Sequence, residues 1–222
     1  MNKTMTWVFA LAVALGTMAV AQAEEVKGDV KAGEGKISMC IGCHGIVGYQ
    51  SSFPEVYKVP KIAGQGAGYI AAALHAYVKG ERRFPTMHAV ALPLSDQDIA
   101  DISAYYAQLG QDGAKALAET PAREPSTEVA ALLQKGACVS CHGANFAKPI
   151  DPSYPQIAGQ HADYLFVALK AYQTENNPYV GRSNAIMGGI AKQFSHKELK
   201  ALAGYIGSLD GNVKTVAESR FR

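Results

Sequence analysis

Cysteine is scarce in this chain, and none of it is spare. Only four cysteines occur in 222 residues, and all four fall inside two five-residue segments, Cys40–His44 and Cys138–His142. No thiol is left for a disulfide or a free nucleophile. Charge of one sign is also missing. The 21 Lys and Arg are nearly balanced by 19 Asp and Glu, which removes the basic footprint expected of a nucleic-acid binder. Beyond residue 23, no apolar run approaches the roughly 20 residues of a membrane-spanning helix. Nucleophile–base constellations and glycine-rich nucleotide loops are absent too, so no substrate-transforming site is expected. Nothing alternates as a strand would, and the apolar spacing is helical throughout.

The first residues carry the parts of an export signal. Lys3 precedes an apolar run from Trp7 to Val20, and Ala21-Gln22-Ala23 follows as a small-x-small tripeptide. That order describes a cleaved signal peptide at residues 1–23, with a mature chain starting at Glu24 and a periplasmic destination. An uncleaved anchor, with similar composition, is the alternative. Residues 24–112 hold 8 basic and 10 acidic side chains, whereas 113–222 hold 12 basic and 9 acidic. The imbalance would orient the chain toward a charged partner, unless it is ordinary surface scatter.

What is present is a repeated pentapeptide. Cys40-Ile41-Gly42-Cys43-His44 and Cys138-Val139-Ser140-Cys141-His142 both have the Cys-x-x-Cys-His spacing of c-type haem attachment. Two thiols add across the porphyrin vinyl groups, and the histidine that follows becomes the proximal iron ligand. A structural zinc site is the competing reading. Zinc pairs usually lie within about 15–20 residues of each other, yet 98 positions separate Cys40 from Cys138. Neither zinc nor a thioredoxin-like redox pair accounts for a histidine after both motifs. The count therefore predicts two covalently attached haem c groups, bound through Cys40, Cys43, Cys138 and Cys141.

The second half of the chain repeats the first. Pro60-Lys61-Ile62-Ala63-Gly64-Gln65 recurs as Pro155-Gln156-Ile157-Ala158-Gly159-Gln160, an offset of 95. Tyr69, Leu74 and Tyr77 match Tyr164, Leu169 and Tyr172 at the same offset, and Arg82, Met87 and Ser95 match Arg182, Met187 and Ser195 at 100. Each repeat is small for an independent core, and a haem at its centre would let it fold. The expected organisation is an N-terminal domain over 24–112, a linker over 113–126 and a C-terminal domain over 127–222. Ser95 and Ser195 start capped helices. Gly68–Lys79 and Asp163–Gln173 read as middle helices, and helices over Val30–Met39 and Thr127–Lys135 lead into the haem motifs.

The remaining axial position on each iron decides the chemistry: methionine raises the potential, histidine usually lowers it, and an open site permits ligand chemistry. Past residue 23 only Met39, Met87 and Met187 remain. Met39 adjoins Cys40 on the attachment side, whereas Met87 and Met187 occupy matching repeat positions in what reads as a loop. Core packing is the commoner use of methionine, and His88 competes with Met87. His75, His161 and His196 read as surface or packing residues. In the Pro-x-Ile-Ala-Gly-Gln segments, the proline carbonyl is placed to accept a hydrogen bond from the proximal histidine, and the Ile-Ala pair to cover the haem edge.

Together, both haem motifs, both Pro-x-Ile-Ala-Gly-Gln segments, Met87, Met187 and the paired terminal helices resemble the dihaem cytochrome c4 family over nearly all of the expected mature chain. The resemblance implies an all-α fold of two tandem class I cytochrome c domains, each wrapped around one covalent haem. It implies His44 and Met87 as ligands of one iron, and His142 and Met187 as ligands of the other. It further implies a periplasmic carrier in a respiratory chain, with a membrane quinol-oxidising complex as donor, a terminal oxidase as acceptor and peripheral inner-membrane association. Two departures are His88 and the long, aromatic Ile46–Val59 loop. The dihaem subunit of a flavocytochrome c sulfide dehydrogenase is similar as well, and would make the chain an electron-accepting subunit. A self-contained haem enzyme would need an open iron or a thiolate, and no free cysteine exists to supply one.

Overall fold

Serine caps set the frame of each half. In the computed structural model, which describes residues 26–112 and 116–217, Ser95 Oγ accepts from the Asp98 amide at 3.2 Å while Asp98 Oδ2 accepts from the Ser95 amide at 3.0 Å. Ser195 and Glu198 make the same reciprocal pair at 3.3 and 2.7 Å. The aspartate thus completes a capping box as fully as the glutamate does, each satisfying amides that a helix start leaves unpaired. The expected signal segment lies outside the described residues.

The first half contains α1 (Val30–Glu34), α2 (Ser38–His44), α3 (Ala67–Val78), α4 (Pro85–Ala91) and α5 (Asp96–Gln108). The second contains α6 (Thr127–Lys135), α7 (Cys138–His142), α8 (Ala162–Gln173), α9 (Ala185–Ala191) and α10 (His196–Gly207). Four two-residue strands complete the described elements: β1 (Gln50–Ser51), β2 (Tyr57–Lys58), β3 (Arg82–Arg83) and β4 (Gly181–Arg182). The all-α expectation therefore holds with a small correction. β1 pairs with β2 inside the long loop of the first half, and β3 pairs with β4 across the two halves, Arg82 opposite Arg182.

Two further corrections are local. The helix expected over Val30–Met39 is broken after Gly35. The break drops Ile37 into full burial and lets the Lys36 ammonium reach Asp101 at 2.6 Å and Asp98 at 2.7 Å. The segments carrying Met87 and Met187 are short helices rather than loops, opened by Pro85 in α4 and by an Asn184 cap in α9. Proline is suited to a first turn because its missing N–H would have had no partner there.

Each half has its own apolar core. In the first, Ile37, Ile41, Ile70, Leu74, Ile99, Ile102 and Tyr106 pack between α2, α3 and α5. In the second, Phe146, Leu165, Ala203 and Ile206 form one cluster, with Leu132, Phe194, Leu199 and Leu202 beside it. Contact between α1 and α5 is close enough that a β-carbon on Gly33 would sit 2.2 Å from the Asp101 carbonyl oxygen. Residues 116–126 have no helix or strand and lie on the second half, where Asn145 donates to the Ala118 carbonyl at 2.7 Å and Tyr205 to that of Arg123 at 2.9 Å. The chain end returns to the first half, where the Lys214 amide donates to the Ala63 carbonyl at 2.8 Å.

Candidate functional site: two facing cofactor cavities

Each cysteine pair lies on a short helix that opens onto a cavity. The first cavity, about 460 Å³, is lined by Cys40, Cys43, His44, Met87, Ile62 and Tyr77 among others. The second, about 290 Å³, is lined by Cys138, Cys141, His142, Met187, Ile157 and Tyr172 among others. These volumes sit within, and at the lower edge of, the roughly 300–1,000 Å³ of small-molecule and cofactor sites. The cavities are neighbours: Tyr69, Arg82, His142, Tyr172, Arg182 and Met187 line both.

The histidines are oriented by the repeated proline segments. His44 Nδ1 lies 2.9 Å from the Pro60 carbonyl oxygen, and His142 Nδ1 lies 3.0 Å from that of Pro155. A carbonyl only accepts, so Nδ1 carries the proton in both rings and Nε2 keeps its lone pair. Burial lowers the pKa of both imidazoles, although the proline carbonyls oppose that shift. Neutral imidazole is the form that binds a metal. The thiols are pushed the other way: burial raises Cys40 to about 11 and also raises Cys138. Neither is a thiolate nucleophile at neutral pH.

The rest of the segment also has a defined place. Gly64 and Gly159 adopt φ of +78° and +70°, the left-handed region that glycine enters without strain. Their amides donate to the Tyr106 carbonyl at 2.8 Å and the Ile206 carbonyl at 3.1 Å, near the ends of α5 and α10. Ile62 and Ile157 line the cavities, as the sequence suggests. Ala63 and Ala158 do not line either one; they are buried beside the terminal helices instead.

Met87 and Met187 are placed by α4 and α9. The Met187 amide donates to the Asn184 side chain at 2.9 Å, fixing the turn from which its thioether enters the cavity. His88 lines neither cavity. Its Nδ1 donates to the Tyr77 carbonyl at 2.7 Å, tying α4 to the end of α3. His75 sits 3.8 Å from Asp96, His161 precedes α8, and His196 packs edge-on to Phe166. Among the described residues no cluster of His, Cys, Asp and Glu is arranged to cage a metal ion. The two cysteine pairs therefore do not converge into one zinc shell.

Arg82 and Arg182 had appeared in the sequence only as repeat markers. Arg82 Nη2 donates to Tyr69 Oη at 2.9 Å, and Arg182 Nη2 to Tyr164 Oη at 3.0 Å. Each guanidinium also lies over aromatic faces, Arg82 over Tyr77 at 5.7 Å and Arg182 over Tyr172 at 5.4 Å. Among the described residues neither pairs with a carboxylate. A sheltered cation without an acidic partner is costly unless a ligand supplies the counter-charge. A group that brings its own carboxylates, as haem does, fits this wall. The paired thiols, the neutral imidazole and the thioether fit the same group. Only the tertiary pairing of β3 with β4 reveals this, through residues about one hundred positions apart.

The comparisons with known proteins agree with this geometry. A family model for cytochrome c matches residues 32–110 and 126–210. The cytochrome c4 of Stutzerimonas stutzeri is 32% identical over 222 residues, covering 94% of this chain and 100% of that protein. A thiosulfate dehydrogenase electron acceptor from Stutzerimonas stutzeri strain A1501 is 29% identical over 219 residues, covering 93% of this chain and 96% of the acceptor. The crystal structure of reduced recombinant cytochrome c4 from Pseudomonas stutzeri superposes with a TM-score of 0.58 at 30% identity, covering 82% of this chain and all of that one. Fold and cavities define a tandem c-type cytochrome with two covalently bound haem c groups, built for electron transfer. The chain belongs to the cytochrome c family and, within it, to the dihaem cytochromes c4.

Proposed function

We propose that this chain is a periplasmic dihaem carrier that moves electrons along a respiratory chain, from a membrane quinol-oxidising complex toward a terminal oxidase. Bound haem supplies the one-electron ferrous–ferric couple. In this reading Cys40 and Cys43 hold the first group and Cys138 and Cys141 the second. His44 and Met87 ligate one iron, and His142 and Met187 the other. Residues 24–112 and 127–222 act as the two domains, joined by 113–126. Ile62, Ile157 and the tyrosines exclude water from the cavities, while Arg82 and Arg182 balance propionate charge. The chain transforms no substrate itself.

The observation that carries the proposal is the shared wall between the two cavities, lined from both sides by Tyr69, Arg82, Tyr172 and Arg182. Cofactors bound in cavities that share these residues would be able to exchange electrons within one molecule, which serves a carrier better than an isolated catalytic centre. The export-signal pattern of residues 1–23, a lysine, an apolar run and a small-x-small tripeptide, supports the periplasm. The test is turnover with membranes. Quinol-energised membranes should reduce the purified protein, and oxidase-bearing membranes should reoxidise it in a cyanide-sensitive reaction. Failure of both reactions would refute the respiratory placement.

A second reading is favoured by the relative described as a thiosulfate dehydrogenase electron acceptor. There the chain accepts electrons from a sulfur-compound dehydrogenase, in the same class of role as the subunit of a flavocytochrome c sulfide dehydrogenase. Reduction by such a dehydrogenase plus its substrate, faster than by quinol-energised membranes, would favour this reading.

A further inference from the structure

The glutamine that ends each repeated segment is buried, with Gln65 3% and Gln160 4% exposed, yet neither serves its own half alone. Gln65 Nε2 donates to the Gln156 carbonyl at 2.8 Å, and Gln65 Oε1 accepts from the Gln156 amide at 2.9 Å. Gln160 reciprocates: its Nε2 donates to the Lys61 carbonyl at 2.9 Å, and its Oε1 accepts from the Lys61 amide at 2.9 Å. Backbone amides only donate, so these contacts also fix which end of each side chain is oxygen.

Lys61 and Gln156 directly follow the two prolines that orient the proximal histidines. The peptide unit joining Pro60 to Lys61 therefore has both ends engaged. Its carbonyl accepts from His44 Nδ1–H, and its N–H donates to Gln160 of the other half. The unit joining Pro155 to Gln156 accepts from His142 and donates to Gln65. Peptide resonance couples the two ends of such a unit. An acceptor on the N–H shifts electron density to the carbonyl oxygen, and hydrogen bonds in a chain strengthen one another by roughly 10–30% per bond. A stronger acceptor on Nδ1–H makes the imidazole a more basic iron ligand, which favours ferric iron.

We infer that Gln65 and Gln160 are crossed positioning residues: Gln160 tunes the haem held by His44, and Gln65 tunes the haem held by His142. Each half thus sets part of the potential of the other. The inference rests on His44 and His142 being the proximal ligands, as proposed above. A simple interface clamp would need no link through the histidine peptides, and its loss would disturb both halves or the half that carries the substitution.

The test uses Gln65→Met and Gln160→Met holoproteins, which keep side-chain length and lose the hydrogen bonds. Each haem is titrated separately through its own methionine methyl resonance in the ferrous state. Gln65→Met should raise the potential of the His142 haem and leave the His44 haem in place; Gln160→Met should do the reverse. The expected size is about a threefold change in the reduced-to-oxidised ratio at fixed potential, about 28 mV at 59 mV per tenfold for one electron. The ring Nδ1–H resonance of the histidine in the opposite half should move to higher field. No shift, equal shifts, or a shift confined to the substituted half would overturn the inference. If either variant fails to fold, Gln65→Asn and Gln160→Asn, one methylene too short to reach the opposite peptide, decide by the same titration: the potential of the haem in the opposite half should rise, and no shift there would overturn the inference. A wild-type protein without the His/Met spectrum would instead refute the ligand assignment itself.

Discussion

Gly33→Ala sets two opposed effects against each other at the contact between α1 and α5. Replacing glycine by alanine inside a helix is intrinsically worth roughly 0.5–1 kcal/mol of stability. At Gly33 the new β-carbon would meet the Asp101 carbonyl oxygen at 2.2 Å and the Tyr105 β-carbon at 2.8 Å. Backbone cannot rotate out of the way, so the helices must separate by about 1 Å, and overpacking of that kind costs typically 1–3 kcal/mol. Separation would also stretch the bonds that Asp29 and Lys36 make to Asp101, now 2.8 and 2.6 Å. The steric effect wins, with a net loss of about 1–2 kcal/mol. For a unit of under 100 residues, at roughly 4–8 °C per kcal/mol, the first half should melt about 4–16 °C lower. Gly204→Ala is the internal comparison. It lies exposed in α10 with nothing within 4 Å of the added carbon, so only the propensity gain applies and the second half should melt higher. Thermal unfolding of the ferric holoprotein, followed by helical circular dichroism and by the haem bands, reads both. A Gly33→Ala protein as stable as the parent, or a Gly204→Ala protein that loses stability, would refute the reasoning.

Other consequences follow from the same geometry. Met87→Ala and Met187→Ala should each remove about half of the methionine-to-ferric-iron charge-transfer absorbance and lower one of the two potentials, because a thioether ligand favours ferrous iron; equal loss at both haems from one substitution would contradict the assignment. Ser195→Ala removes the side-chain half of the α10 capping box and should cost about 1 kcal/mol, measured as a lowered urea midpoint. The Lys36 ammonium, with the Ser95 hydroxyl and amide, holds the Asp98 carboxyl down at about 2 against an ordinary 3.8. A depressed carboxylate stabilises the fold above its unfolded pKa and loses that effect as pH falls through the folded one. Lys36 also holds the Asp101 carboxyl low, so the urea-midpoint difference between the parent and Lys36→Met should be full above about pH 4 and shrink as both carboxylates protonate on acidification; a difference that grew on acidification would reverse the sign.

Much of this molecule is readable from sequence because its strongest determinants are local. Haem attachment needs five consecutive residues, and a helix start needs a serine with an acid three positions later. α6 matches its expected range, and α3 and α8 begin one residue early. The misses share a different cause. The break after Gly35 answers a tertiary demand, the burial of Ile37 and the reach of Lys36 to α5, which helical periodicity does not record. Short helices around Met87 and Met187 are too brief to show a period. The β3–β4 pairing joins two-residue strands about one hundred positions apart, so the facing of Arg82 and Arg182 leaves no mark on either segment. The glutamines were visible as the last letters of a repeat, but their partners lie in the opposite half.

The central claim is that each half holds one haem between a histidine and a methionine. A spectroelectrochemical titration of the purified holoprotein tests it most directly, with the methionine-to-ferric-iron band followed beside the main haem bands. The account predicts two high-potential one-electron steps and charge-transfer absorbance that scales to two haems per chain. A low-potential step, or absorbance sufficient for only one haem, would contradict it, returning His88 or an open iron to the first cavity.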